Sequence, residues 1–290
     1  MEELRRSLTL YAYNILGSWE DARDVVQDVF LKFSQLDQEK VDDKKSYLIR
    51  MVVNLAIDRK RKLKRQLNNY VGPWLPEPIS TDDPHFAIHK KEILSYSMLV
   101  LLEKLDARQR AVFILKEAFD YEHDEIARVL GITAENSRKI LSRAKRELDT
   151  DLNVKPDEDQ MKVLHRYLNV LELGDMDQLE QLLSDEISIT SDGGGKASAS
   201  RNIIRGFRYV AAFVSGLNRK VYRHVDFEIT HINHQPAVFY VVEGQVVTCQ
   251  IFAIHNQRIE RMFFVRNPDK LASLQKEAKK GVTFPEGSAS

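Results

Sequence analysis

The apolar positions of this chain fall into three helical stripes, a second helical block and a final set of β-type runs. Leu8, Tyr11, Ala12, Ile15 and Leu16 recur every three or four residues, the spacing of a helix with one buried face. Gly17 interrupts that stripe, and Ser18 is placed to cap a second helix whose apolar face is Ala22, Val25, Val26, Val29, Phe30 and Phe33. A third helix is predicted from about Lys45 to Arg65, with Leu48, Met51, Val52, Leu55 and Ala56 pointing inward. From Leu105 to Leu148 the helical period returns. Ala111, Val112, Leu115 and Ala118 form one stripe, and a short helix from Asp124 to Leu130 buries Ile126, Ala127 and Leu130. Gly131 supplies the turn, and Thr133 caps a last helix with Ile140, Leu141, Ala144 and Leu148 inside.

Two short helices joined by a glycine turn make a helix-turn-helix. The outer face of its second helix offers Asn136, Arg138, Lys139, Ser142, Arg143 and Arg146, donors suited to base edges and phosphates in a major groove. The competing interpretation is a plain helical bundle with a solvated basic face. Ser137 stands where an apolar packing residue is usual in such helices.

Beyond about Gln160 the pattern changes. Val163, Leu164, Tyr167, Leu168, Val170 and Leu171 predict a helix, LGDMDQLEQLL a short one, EISITSD a strand and Ile203 to Leu217 another helix. VDFEITHI, AVFYVVEG, QVVTCQIFAIHN and RIERMFFVRN then read as strands, divided by His-Gln-Pro, Glu-Gly and Asn-Gln turns. Helices followed by a strand meander predict an α+β cone, a curved antiparallel sheet wrapped around helices. The fold class is therefore multidomain: all-α units first, an α+β unit last.

Between the helical blocks, NNYVGPWLPEPISTDDP carries four prolines and a glycine, which favour an extended path without internal hydrogen bonds. Trp74 and Leu75 are too apolar for a bare spacer, so they pack on a neighbouring helical domain or form a docking motif. DTDLNVKPDEDQ reads as a second linker, and LASLQKEAKKGVTFPEGSAS as a charged, partly disordered tail.

At 290 residues the chain has room for two or three domains. Its formal net charge is zero, but Lys44 to Arg65 and Arg138 to Arg146 are strongly basic, which points to targeted contact with nucleic acid. Arg50, Asn54, Arg59, Lys60, Arg61, Lys62, Lys64 and Arg65 load one helix with charge, a costly density unless phosphates or counterions answer it. The second helix shows the opposite character: Asp24, Gln27, Asp28 and Leu31 form an acidic outer face, either simply solvated or a docking surface for a basic partner. Cys249 is the only cysteine, which excludes an intramolecular disulfide and a cysteine-cluster metal site. An apolar leader and a membrane-length run are both lacking, so a cytoplasmic location without membrane contact is expected. Ser191-Asp192-Gly193-Gly194-Gly195-Lys196 lets another surface approach closely, but lacks the spacing of a phosphate-binding P-loop. His224, Asp226, His231 and His255 are catalytic candidates by type alone. They form no nameable nucleophile–base pair or metal spacing, so no catalytic residue, metal or cofactor is assigned.

Several stretches carry family resemblances. DARDVVQDVFLKF resembles sigma-70 region 2.2, SYLIRMVVNLAIDRKRK resembles regions 2.3 and 2.4, and DARQRAVFIL before the helix-turn-helix resembles region 4. Their order, without a region 3, is similar to extracytoplasmic-function (ECF) sigma factors. WLPEP and DGGGK resemble the two signatures of ECF group 41, and the segment from Gln160 to Asn267 resembles the SnoaL-like branch of the nuclear-transport-factor-2-like superfamily. The resemblance implies a non-enzymatic alternative sigma factor with core RNA polymerase and promoter DNA as partners. It assigns Asp24, Gln27, Asp28 and Leu31 to polymerase docking. Arg50, Asn54, Arg59, Lys60 and Arg61 would serve the −10 element. Asn136, Arg138, Lys139, Ser142, Arg143 and Arg146 would serve the −35 element. Trp74, Leu75, Pro76, Glu77 and Pro78, with Asp192, Gly193, Gly194, Gly195 and Lys196, would be regulatory, and the cone leaves room for an unknown small-molecule ligand. The expected domains are region 2 at 1–66, a linker at 67–86, region 4 at 87–150, a second linker at 151–159, the SnoaL-like domain at 160–270 and the tail at 271–290. The rival functions are a free-standing helix-turn-helix regulator with a small-molecule-sensing cone, and a SnoaL-type isomerase tethered to a DNA-binding unit.

Overall fold

Among the described residues, seven α-helices make the N-terminal part of the chain, in a computed structural model that describes residues 2–37, 39, 41–82, 84, 90–148 and 159–276. They are α1 (Glu2–Leu16), α2 (Trp19–Ser34), α3 (Lys44–Gln66), α4 (Tyr96–Leu101), α5 (Ala107–Glu117), α6 (His123–Leu130) and α7 (Ala134–Leu148). The expected second linker, apart from Asp159, and the tail beyond residue 276 lie outside the described residues. Contacts divide the chain into two units. The helical unit holds Met1–Tyr70, Trp74–Glu77 and His85–Lys155; the other holds Val71–Pro73, Pro78–Pro84 and Pro156–Ser290.

Local chemistry ends the helices where the sequence indicates. Gly17 takes a φ of 74°, and the Ser18 side chain accepts the Asp21 N–H to open α2. Asp106 and Gln109 form a reciprocal capping box at the start of α5. Gly131, in the left-handed conformation at φ 63°, closes α6, and the Thr133 hydroxyl accepts the Asn136 N–H at the start of α7. The apolar stripes of α1 and α2 are buried almost throughout. Helix α3 goes beyond its expected face. Besides Leu48, Val52 and Ala56 it buries Ile49, Val53, Ile57 and Lys60, because it packs against α5 and α6 as well as α1 and α2.

The second unit contains α8 (Gln160–Leu173), α9 (Met176–Leu182), α10 (Phe207–Lys220) and the short α11 (Pro268–Leu271). Its strands are β1 (Leu183–Asp192), β2 (Ile204–Arg205), β3 (Asp226–Ile232), β4 (Gln235–Val242), β5 (Gln245–His255) and β6 (Arg258–Val265). They form one six-stranded sheet in the order β2-β1-β6-β5-β4-β3. Val163, Leu164 and Tyr167 of α8 and Val210 and Val214 of α10 share a core with Val238, Phe252, Met262 and Phe264 of the sheet. This is the expected α+β class.

Three details differ from the sequence reading. The sheet is not wholly antiparallel: β1 pairs in parallel with β6, because it enters beside the last strand of the meander. The third helix of this unit begins at Phe207 rather than Ile203. Ile204–Arg205 pairs with β1 instead, and Gly206 at φ 84° breaks the path between strand and helix. The first hairpin turns on Asn233 and His234, both at positive φ, so Pro236 belongs to β4 opposite His231 rather than to the turn.

Candidate nucleic-acid interface

Helix α7 presents the expected face. Asn136, Arg138, Lys139, Ser142, Arg143 and Arg146 are all exposed, while Leu141, Ala144 and Leu148 are buried and Ile140 is half-buried. Ser137 is fully buried, and its hydroxyl pairs with Nδ1 of His123 at 2.9 Å. A hydrogen bond thus replaces the usual apolar contact between α6 and α7. Burial, then the charges of Arg138 and Lys116, hold the His123 imidazole below its ordinary range, so its neutral form makes this bond near neutrality. Surface pairs Lys139–Glu135 at 2.7 Å and Lys145–Glu117 at 2.7 Å leave Arg138, Arg143 and Arg146 as the less compensated donors of this face.

Helix α3 is different. Arg50, Arg59 and Arg61 are exposed, with Arg59 held to Asp21 of α2 at 2.7 Å and Arg61 to Asp58 at 3.1 Å. Asn54, however, donates to the Val129 carbonyl of α6 at 2.9 Å. Lys60 is only 4 % exposed. Its ammonium donates to the Leu16 carbonyl at 2.8 Å and to both Glu103 oxygens at 2.9 Å. Of the five expected −10 residues, Lys60 is therefore buried inside the helical unit, and Asn54, though exposed, has its side-chain amide engaged by the Val129 carbonyl.

Glu103 is the centre of that engagement, and the sequence reading passed over it. It also receives Arg110, a fully buried arginine whose Nε donates to the Asn14 carbonyl at 2.9 Å. Burial raises the Glu103 carboxyl, but Arg110 and Lys60 outweigh burial and hold it below the usual carboxylate range. The available signal was an arginine on the apolar face of α5, between Ala107 and Ala111, where a charge needs a partner. Further links bind the same helices: Tyr11 stacks on Phe119 at 3.8 Å, and Asn14 donates to the Glu92 carbonyl at 2.7 Å.

Trp74–Glu77 completes this unit. The Trp74 ring lies 4.8 Å from the Lys60 ammonium, a cation–π contact. It also covers Gly17, where a Cβ would stand 2.9 Å from the ring, so glycine is required for both space and backbone angle. Leu75 is fully buried. The Pro76 carbonyl accepts the Tyr96 hydroxyl at 2.7 Å, and the Glu77 carbonyl accepts the Tyr13 hydroxyl at 2.8 Å. The Glu77 carboxylate accepts the N–H groups of Trp19 and Glu20, capping α2 from outside its own sequence.

In the sheet-containing unit, Asp192 is fully buried. Its side chain accepts the Gly194 N–H at 2.9 Å and the Lys270 ammonium at 2.6 Å, while its carbonyl accepts the N–H groups of Arg266 and Asn267. A Cβ at Gly193 would stand 2.1 Å from the Ala197 carbonyl oxygen, and Gly195, at φ 72°, lies against Val71. Lys196 pairs with Asp269 at 2.6 Å. Pro78 is buried, and Ser80 bridges Ile232 at the β3 edge. Ile79 and Asn233 exchange backbone and side-chain hydrogen bonds at 2.9 and 3.0 Å, and Asp82 accepts from the His231 and Thr230 groups. The glycine loop thus meets the linker at Val71, while the β3–β4 hairpin pairs with it from Ile79 to Asp82.

The acidic face of α2 is open. Asp24, Gln27 and Asp28 are exposed and Leu31 is 56 % exposed, with Val25 and Val29 buried behind them. His224, His231 and His255 are dispersed over a 3-10 turn, a strand edge and a strand end, and among the described residues His231 is brought to a carboxylate, Asp82. Among the described residues no group of His, Cys, Asp or Glu is arranged to hold a metal, and no helix is long and apolar enough to cross a membrane.

Comparison with known proteins matches residues 1–66 to Sigma-70 region 2 and residues 96–148 to Sigma-70, region 4. The ECF RNA polymerase sigma factor SigJ of Mycobacterium tuberculosis is 31 % identical over 223 residues, covering 74 % of this chain and 71 % of that protein. The probable ECF RNA polymerase sigma factor SigI of the same species is 23 % identical over 288 residues, 94 % of each chain. The crystal structure of the M. tuberculosis SigJ superposes with a TM-score of 0.76 at 26 % identity, covering 93 % of this chain and 96 % of that one. Two sigma regions in order, the helix-turn-helix with its outward donors and the extended similarity place this chain in the family of ECF RNA polymerase sigma factors.

Proposed function

We propose that this sigma factor exists free in a closed form, with regions 2 and 4 packed together, and directs promoter-specific initiation once core RNA polymerase has opened it. The observation that carries this reading is the engagement of Asn54 and Lys60 by Val129 and Glu103. Residues assigned to the −10 element cannot serve DNA while region 4 holds them. Opening would free Asn54 and Lys60 to join the already exposed Arg50, Arg59 and Arg61 on the −10 side. The face of α7 from Asn136 to Arg146 would take the −35 element, and Asp24, Gln27, Asp28 and Leu31 would dock on the polymerase. The factor itself supplies no catalytic group; the polymerase supplies the chemistry, and the work is done in the cytoplasm.

The linker is the element through which the SnoaL-like domain would act in cis. Its centre, Trp74–Glu77, belongs to the helical unit, and its flanks, Val71–Pro73 and Pro78–Pro84, belong to the sheet-containing unit. Domain separation must match the distance between promoter elements, so tension or slack in this connector sets activity. A small molecule in the domain would change activity only by binding the strapped and released linker states differently. The test places fluorophores on α2 and α7 of the full chain and follows their separation with and without core polymerase, alongside run-off transcription. Separation should increase on core binding, and Trp74→Ala and Asp82→Ala should each shift both readouts. Unchanged separation in the transcribing complex would refute the closed-to-open reading.

A further inference from the structure

An open cleft of about 520 Å³ lies between the C-terminal half of α3 and the first turn of α5. Arg61, Lys64 and Arg65 form one wall and Arg108 the other, with Asn68 at one end. All four cations are exposed. Lys60, which is buried, also lines the cleft, its charge already answered by Glu103 at 2.9 Å. Among the described lining residues Asp106 is the one carboxylate, and it accepts the Arg108 and Gln109 N–H groups as the α5 cap.

The described lining residues are short of negative charge. Lys64 and Arg65 donate to carbonyl oxygens, of Leu105 at 3.4 Å and Arg61 at 3.3 Å, which carry no net charge. Arg61 meets Asp58 on its own helix, an exposed pair of the kind that contributes little. Arg61, Lys64 and Arg65 stand at i, i+3 and i+4, where like charges repel. Guanidinium forks pair with phosphate oxygens two at a time, and the cleft volume falls in the range of small-ligand sites.

We propose that this cleft binds a small polyanion carrying linked phosphate groups. Arg108 of region 4 and Arg61, Lys64 and Arg65 of region 2 grip it from opposite sides. Such a ligand favours the arrangement in which α3 and α5 are together. The site rests on that arrangement and adds a ligand to it. A duplex would lie across the rim of the cleft instead of entering it.

Isothermal titration of the full chain with inorganic tripolyphosphate, at fixed ionic strength, tests this. We expect saturable one-to-one binding, roughly tenfold tighter than orthophosphate and roughly tenfold weaker in Lys64→Ala/Arg108→Ala, because paired charged contacts are lost. Lys32→Ala/Lys62→Ala removes the same charge elsewhere and should leave the affinity near that of the parent. Thermal unfolding of both double variants verifies that the fold persists. ATP binding more tightly than tripolyphosphate identifies a nucleotide as the source; equal affinity identifies inorganic polyphosphate. Absence of saturable binding, or equal weakening in both double variants, overturns the site. A short single-stranded DNA that displaces tripolyphosphate and depends more strongly on Lys64 and Arg108 also overturns it, in favour of a nucleic-acid contact. Equal tripolyphosphate affinity of the free and core-bound chain would uphold the site but refute opening.

Discussion

Helices α3 and α7 carry the same signal in the sequence, a dense basic stripe beside an apolar face, yet they have opposite fates. The donors of α7 face solvent, and its cations meet only surface carboxylates such as Glu135 and Glu117. Helix α3 buries Lys60 and ties Asn54 to the neighbouring α6. The difference lies in what surrounds each helix. Helix α7 packs through a single apolar face, whereas α3 has a second buried face, Ile49, Val53 and Ile57, and packs against four other helices. Charge density marks a candidate nucleic-acid helix; packing decides whether its donors are exposed.

The strongest way to break the comparison is to remove the carboxylate that holds α3. Glu103→Ala leaves Lys60 and Arg110 buried without their counter-charge and should cost about 3–5 kcal/mol, read as a lower denaturant midpoint. Wild-type stability should show the same dependence on pH. The Glu103 pKa is lowered by folding, so its contribution is present above the unfolded value near 4.5 and lost as pH falls through the lower folded value. A stability curve without this acid limb would remove Glu103 from the account.

Next in size is the open face of α2. Asp24→Lys with Asp28→Lys should leave the unfolding midpoint near that of the parent and weaken core polymerase binding about a hundredfold, because complementary charges become opposed. Normal co-purification with core would reassign that face to solvent.

Trp74→Ala follows, at about 1.5 kcal/mol for a half-buried ring and its cation–π contact. Denaturation of the full chain measures it, and the fluorescence separation of α2 and α7 shows whether the lost energy opens the unit.

The last effects, confined to single positions of the promoter, sharpen the α7 side. Alanine at Arg138, Lys139 or Arg143 should cost about 1–3 kcal/mol where a bidentate base contact is lost, relaxing one position of the −35 element. Where the contact is to phosphate, all sequences weaken alike and the salt slope falls by about one. Variants that change neither selection nor slope would move the recognition surface off α7.

Much of this molecule could be read locally. The Gly17–Ser18 and Gly131–Thr133 boundaries depend on backbone angles and neighbouring hydroxyls, so a few residues determine them. The outward donors of α7 and the exposed Asp24–Leu31 face follow from helical spacing and one apolar stripe, and the sigma-family resemblance rests on contiguous motifs. The parallel β1–β6 pairing, by contrast, joins residues far apart in the chain, and no local pattern states a strand's direction beside a distant partner. The Lys60–Glu103–Arg110 cluster, the Asn54–Val129 bond and the Glu77 cap on α2 likewise exist only when separated segments meet. Side-chain periodicity specifies which residues need burial. Which surface buries them, and which cations stay exposed, depends on long-range packing that only the tertiary structure decides.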